Sequence, residues 1–240
     1  MLIKTSAIVI WVLKYGDSSL IVNCYTKSDG LKSYFLNGIL KAKKSNSSKG
    51  LFQPFNLINI VSNHRKKEGL NYIKEANVYA PINSIHTSII KTSIILFLSE
   101  VLKSVLKEDG GENENLYSFL ETTILWLENN DPTPNFHIKF LIELTKYIGF
   151  YPNKSNINYI YFDLTSGCFT RQNKSKHILS IENTKSFKDI LGMTFDQIYM
   201  LKWNTNTRNS LLDGIICYYR LHLQSFKTPK SLSVLHEVFK

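Results

Sequence analysis

The chain has 240 residues, of which 43% are hydrophobic and 12% aromatic, a composition that excludes intrinsic disorder and suffices for one large domain or two small ones. It carries 29 Lys and Arg residues against 19 Asp and Glu, a formal net charge of +10, and its pI is about 9.3. A charge of this sign attracts nucleic acid or an anionic surface.

The first 80 residues predict five short β-strands. Segments rich in β-branched and aromatic residues alternate with turn sequences such as Tyr15-Gly16-Asp17 and Asp29-Gly30. Five short strands within this length are typical of a small closed or nearly closed barrel. The predicted strands cover residues 3–13, 18–26, 31–40, 51–62 and 70–78.

After Pro81 the apolar periodicity changes from 2 toward 3.6 residues, which predicts a helical part. Ser84 is placed to cap a helix that ends at Asp109-Gly110-Gly111. The pattern breaks into polar and aromatic residues between 151 and 181, which predicts a short irregular or β-hairpin insertion. Further helices are predicted over residues 116–129, 136–148, 187–202, 209–226 and 231–239.

The sequence therefore predicts an α+β protein, with a barrel domain over residues 1–80 and a mainly α-helical domain over residues 81–240. The apolar stretch at 88–106 is interrupted by Lys91, Glu100 and Lys103, so we expect a buried helix and no membrane span. The three cysteines are far apart and form no CxxC pair, which favours a reducing cytoplasm. They are Cys24, Cys168 and Cys217.

Motifs for catalysis are missing from the sequence. It has no Gly-rich phosphate loop, no HExxH, no GxSxG and no carboxylate pair in a perturbing context. The acidic residues around Gly110 and Gly111 fit a solvated loop at a helix end better than a metal site. We therefore expect a protein that is not an enzyme and that has no cofactor.

Positive charge is concentrated in the N-terminal third of the chain. Residues 1–80 carry 12 basic and 4 acidic side chains, a net charge of +8, whereas residues 81–160 carry −3 and residues 161–240 carry +5. Two loops hold most of the excess: Lys41, Lys43, Lys44 and Lys49 in the first, and Arg65, Lys66 and Lys67 in the second.

Basic loops next to aromatic strands are how an OB-type barrel holds a single strand, with phosphates on Lys or Arg and bases on rings. Most rings in these strands are needed for the barrel interior. Because neighbouring side chains on a strand point to opposite faces, either Tyr34 or Phe35 can stack on a base, but not both. Tyr34 is the residue we predict.

The opening segment KTSAIVIWVLKYGDSSLIVNCYTKSDG resembles the N-terminal barrel of the bacterial RecO family of recombination mediators. The resemblance continues through LFQPF, GLNYIKEA, FLSEVL and NFHIKFLIELTKYIGFYPN to YYRLHLQSFKTPKSLSVLHEVF. It covers nearly the whole chain in the order of the family.

The resemblance implies a non-catalytic cytoplasmic DNA repair factor with an OB-fold barrel and a helical domain. It would bind single- and double-stranded DNA, anneal complementary strands, and act with RecR to help RecA displace single-strand-binding protein. The lysines and arginines of the two loops would contact phosphates. Arg220 would extend this basic track or, with His222, bind the acidic tail of single-strand-binding protein.

One departure from the family concerns zinc. Some RecO proteins hold zinc with four cysteines in the insertion, whereas this chain has only Cys168 there, with His177 nearby. We predict that no zinc is bound. Two other functions remain open from the sequence, namely an RNA-binding OB protein and an adaptor that works through protein contacts.

Overall fold

The computed structural model of the protein describes residues 2–41, 50–64, 69–108 and 110–240. The chain divides into two compact units, Met1–Asn130 and Asp131–Lys240. The first unit holds a β-barrel followed by helices, and the second is mainly helical with a small sheet. The predicted α+β class is therefore confirmed, and the first compact unit extends past residue 80 to include the first helices.

The barrel is built from β1 (Leu2–Tyr15), β2 (Ser19–Thr26), β3 (Gly30–Leu36), β4 (Leu57–Asn63) and β5 (Tyr72–Ala80). Their order in the sheet is β3-β2-β1-β4-β5, and every neighbouring pair is antiparallel. The edge strands meet at Asn71, whose carbonyl oxygen accepts the Phe35 N–H at 2.9 Å and whose N–H donates to the Ser33 carbonyl oxygen at 2.9 Å. This parallel contact closes the barrel.

The core of the barrel follows from strand alternation. Val9, Val22, Tyr34 and Ile60 point into the interior together with Phe52 and are buried. β1 is also buried on its other face, where Ile10 lies. A strand that is covered on both faces reads as a continuous apolar run, which explains the sequence AIVIW at residues 7–11.

Strand β4 begins at Leu57, later than the sequence predicts. Pro54 has no N–H to give to a sheet, and Phe55 has a left-handed φ of 69°, which a strand cannot contain. The Phe55 N–H instead donates to the Val9 carbonyl oxygen at 2.6 Å, and the Val9 N–H donates to Asn56 at 3.0 Å. A turn held against β1 therefore replaces the first half of the predicted strand.

The helices of the first unit are α1 (Ser84–Thr87), α2 (Ile89–Glu108) and α3 (Glu114–Asn129). The helix predicted from Ser84 is broken at Ser88, which is extended with ψ of 124°. The backbone N–H groups of α1 are capped by the Glu128 carboxylate, which accepts from Asn83, Ser84 and Ile85 at 2.9–3.0 Å. α2 lies against β1, where Ser99 Oγ donates to the Ile10 carbonyl oxygen at 2.5 Å.

The second unit contains α4 (Phe136–Leu144), α5 (Ile181–Leu191), α6 (Thr205–His222) and α7 (Leu232–Val238). The predicted insertion forms a sheet of β6 (Tyr161–Asp163), β7 (Cys168–Thr170) and β8 (Ile178–Leu179), in the order β7-β6-β8. The helix predicted over 187–202 is wrong in its position. It begins after Ser180, whose Oγ accepts the Asn183 N–H at 3.1 Å, and ends before Gly192.

No helix within the described ranges is both long and apolar enough to cross a lipid bilayer.

Candidate nucleic-acid interface on the barrel

The first basic loop starts beside the turn between β1 and β2. The Leu40 N–H donates to the Ser18 carbonyl oxygen at 2.8 Å, and the Lys41 N–H donates to Gly38 at 3.0 Å. Gly38, with φ of 67°, also donates its N–H to Ser19 Oγ at 3.2 Å. These contacts hold the exposed Lys41 close to the start of β2, whereas Lys43, Lys44 and Lys49 lie outside the described residues.

The second basic loop starts at His64, at the end of β4. This imidazole is buried, with its Nε2 at 2.7 Å from Tyr34 Oη and its Nδ1 at 2.9 Å from Asp29 Oδ2. His64 therefore ties the start of the loop to β3 and to the turn before it. Arg65, Lys66 and Lys67 lie outside the described residues.

The charges around His64 determine which atoms donate. Burial alone would raise the pKa of Asp29, but hydrogen bonds from Ser28 and His64 lower it more, so the pKa lies below its ordinary value. Burial also raises the pKa of Tyr34, which stays protonated. The Asp29 carboxylate can only accept a hydrogen bond, so Nδ1 of His64 carries the hydrogen of that bond.

The second loop returns to β3. After Gly69, the chain reaches Asn71, whose backbone pairs with Ser33 and Phe35 as described above. β3 itself leads through Asn37 into the first loop, since Ser19 Oγ donates to Asn37 Oδ1 at 3.2 Å next to the β1–β2 turn. One end of each basic loop is therefore anchored beside β3.

The structure corrects the prediction for Tyr34. Its side chain is fully buried in the barrel core and its hydroxyl is bonded to His64, so its ring has no face open to a base. Phe35, the neighbour on the strand, points outward. The alternation was recognised from the sequence, but which of the two residues faces inward depends on pairing with Val22 across the sheet.

Phe35 is half-buried and belongs to an aromatic cluster at the surface of the barrel, formed by Tyr15, Phe35 and Tyr72. Tyr15 is 57% exposed and Tyr72 is 51% exposed. The Phe35 ring centroid lies 5.6 Å from that of Tyr15 and 6.1 Å from that of Tyr72, with interplanar angles of 89° and 88°. The sequence alone assigns Tyr15 only to a turn, because the other two rings of the cluster are distant along the chain.

In the second unit, Arg220 and His222 lie near the end of α6. Arg220 is exposed. His222 is half-buried: its Nε2 is at 2.9 Å from the Leu164 carbonyl oxygen and its ring stacks on Phe150 with a centroid distance of 5.0 Å. The imidazole therefore packs within its own unit, and the partner-binding role of both residues stays a prediction.

The cysteines carry no sign of a metal site. Cys24 is buried in the barrel, where burial raises the pKa of its thiol. Cys168 begins β7, and its Sγ is at 3.4 Å from the Ser166 carbonyl oxygen. Among the residues that the structure describes, no three His, Cys, Asp or Glu side chains are grouped to hold a metal ion.

Comparison with known proteins identifies relatives along the whole chain. A family model described as "Recombination protein O N terminal" matches residues 1–82, and one described as "Recombination protein O C terminal" matches residues 86–232. The chain is 43% identical over 239 residues to the DNA repair protein RecO of Flavobacterium psychrophilum and 40% identical to that of Christiangramia forsetii. It is 37% identical to that of Bacteroides fragilis. Each alignment covers 100% of both chains.

Proposed function

The chain belongs to the RecO family of recombination proteins, and we propose that it is a mediator of DNA repair that binds DNA through its barrel. Membership in this family makes it a non-catalytic protein. It binds single- and double-stranded DNA, anneals complementary strands and works in the cytoplasm.

The anchoring of both basic loops beside β3 carries this proposal. Seven of the 12 basic residues in the first 80 positions belong to these two loops. The described ends of both loops, at Lys41 and at His64 and Asn71, are bonded to β3 or to the adjacent turn. Clustered lysines and arginines contact phosphates without reading bases, as annealing of any sequence requires.

The partners follow from the family relationship. We infer that the protein acts with RecR, binds the C-terminal tail of single-strand-binding protein, and promotes RecA loading indirectly. Arg220 is an exposed candidate for the acidic tail. Pull-down with RecR or with the tail peptide, with and without nuclease, tests protein contact separately from shared DNA.

An annealing assay tests the mediator function directly. Complementary oligonucleotides coated with cognate single-strand-binding protein should anneal when the protein is added, and they should do so without ATP, since the family is non-catalytic. Annealing no faster than in the absence of the protein would refute the function. Stronger binding to RNA than to DNA of equal length would instead favour an RNA-binding protein.

Charge reversal in the first loop should weaken binding to DNA of any sequence. Replacing both Lys43 and Lys44 by glutamate removes two phosphate contacts and adds repulsion, so we expect affinity to fall by at least about tenfold at low salt. The slope of log affinity against log salt should also shrink by about 2. Fluorescence anisotropy with single strands of two unrelated sequences measures both quantities.

The control for this variant is the same charge change away from the barrel loops. Lys107 and Lys202 are exposed residues outside both loops, and replacing both by glutamate changes the net charge equally. We expect only a small loss of affinity from this control, through the overall charge. Equal losses in the two double variants would contradict the assignment of the loop.

A further inference from the structure

We propose that the aromatic cluster of Tyr15, Phe35 and Tyr72 is a stacking platform for unpaired nucleobases, which makes the protein prefer single-stranded DNA. The proposal rests on the proposed function, because it names the part of a bound strand that this surface holds. Aromatic side chains stack on bases of any sequence, since every base has a π face.

The strands hold the three rings in fixed positions. Tyr15 pairs with Ser19 at the end of β1, and Phe35 is held by pairing with Ile21 and by the hydrogen bond to Asn71. Tyr72 follows Asn71 directly and begins β5. A platform on paired strands loses little conformational entropy when a ligand binds, in contrast to rings on a slack loop.

The three rings of the cluster lie outside the core of the barrel. The interior is filled by other side chains, including Tyr34 and Phe52, and both tyrosines of the cluster are half exposed to solvent. Both ring pairs are edge-to-face, and such a contact covers a face of one ring only, whereas parallel stacking would cover a face of each. Ring surface therefore stays open to an incoming base.

The charges near the cluster favour nucleic acid over an apolar protein segment. Lys74 is exposed and lies two residues after Tyr72 in β5. Lys41, at the start of the first basic loop, is held at the β1–β2 turn that follows Tyr15. Rings next to lysines match bases attached to phosphates.

Only an unpaired strand can use this platform. In a duplex the bases are stacked on each other and paired inside the helix, so a surface ring meets the phosphates and grooves but no base face. The lysines bind both forms of DNA, whereas the rings add affinity for the single strand alone. The cluster would therefore distinguish the two forms.

The test combines Tyr15→Leu and Tyr72→Leu in the full chain and leaves Phe35 in place. We expect the affinity for a single-stranded oligonucleotide to fall by about tenfold. The affinity for a duplex with the same number of phosphates should stay unchanged. The slope of log affinity against log salt should also stay unchanged, because the phosphate contacts are retained. An oligonucleotide made of abasic sites offers no bases for stacking. The intact protein should therefore bind it as weakly as the leucine variant binds the ordinary oligonucleotide.

Two controls accompany this variant. Tyr15→Phe with Tyr72→Phe keeps both rings and should bind like the intact protein, and Tyr199→Leu removes an exposed tyrosine of the second unit and should also leave binding unchanged. Thermal unfolding followed by circular dichroism verifies that the leucine variant is folded. A variant that is unfolded is replaced by Tyr72→Leu alone, for which a smaller loss of the same kind is expected.

Three results would overturn the platform. They are an unchanged affinity for the single strand, an equal loss for single strand and duplex, and a loss of binding to RecR or to the tail peptide with no change for DNA. In each of them the intact protein still binds DNA, so the proposed function stands. Absence of DNA binding by the intact protein would refute both.

Discussion

Replacing Glu143 by glutamine is expected to lower the free energy of unfolding of the second unit by about 3 kcal/mol. Lys139 is only 3% exposed, and its Nζ donates to Glu143 Oε1 at 2.6 Å and to the Ile190 carbonyl oxygen at 3.3 Å. Lys146 also donates to the same carboxylate. The glutamine leaves a buried ammonium group without its counter-charge, and this costs more than the pair itself contributes.

The effect should depend on pH. Burial alone would raise the pKa of Glu143, but hydrogen bonds from Lys139 and Lys146 outweigh it, so the pKa lies below its ordinary value of about 4.5. The stabilisation is therefore fully present above pH 4.5 and is lost as the pH falls through the lowered pKa. The difference in unfolding free energy between the intact protein and the variant should be constant from about pH 5.5, one unit above the ordinary pKa, to about pH 7. It should shrink in more acidic solution.

Hydrogen exchange of the amide protons in α4, measured in urea, reports the stability of the second unit by itself. The control is Glu237→Gln, which breaks an ion pair to Lys240 of which both side chains are 66% exposed. We expect this control to change the free energy of unfolding by no more than about 0.5 kcal/mol. A Glu143 variant that behaves like the control would show that solvent reaches Lys139.

The sequence predicted the strands and helices better than the contacts between them. The presence of five strands in the first 80 residues and the change to helices after them follow from local periodicity, and the structure confirms both. The position of α5 was missed because the capping hydroxyl of Ser180 determines the start of that helix, and the apolar pattern alone does not reveal it. The turn at Phe55 requires a left-handed φ that nothing in the residue type indicates.

The candidate site was predictable in its charges but not in its rings. The lysine loops are visible as charge runs, whereas the face on which Tyr34 or Phe35 lies depends on the register of β2 and β3. Tyr72 reaches Phe35 only because Asn71 closes the barrel on β3, a contact between residues far apart in sequence. Likewise, Lys139 and Glu143 have the spacing of an ordinary i,i+4 pair in the sequence, and only the structure shows that the pair is buried.

Replacing Gly30 by alanine should destabilise the first unit by about 3 kcal/mol or more, from two separate costs. Gly30 has φ of 65°, where an alanine is strained by about 1–2 kcal/mol. Its Cβ would also overlap the carbonyl oxygens of Gly110 and Gly111. These oxygens already accept hydrogen bonds, from the Leu31 N–H at 2.7 Å and from Tyr25 Oη at 2.9 Å, so they cannot move away without losing them.

Gly16→Ala separates the two costs. Gly16 has a similar φ of 58°, but a Cβ there meets no atom within 4 Å, so the variant should lose only the 1–2 kcal/mol of backbone strain. Urea unfolding of both variants measures the difference, and equal losses would contradict the overlap at Gly30. The neighbouring residue Asp29 holds His64 at the start of the second basic loop, so Gly30→Ala should also weaken DNA binding, which Gly16→Ala should affect less.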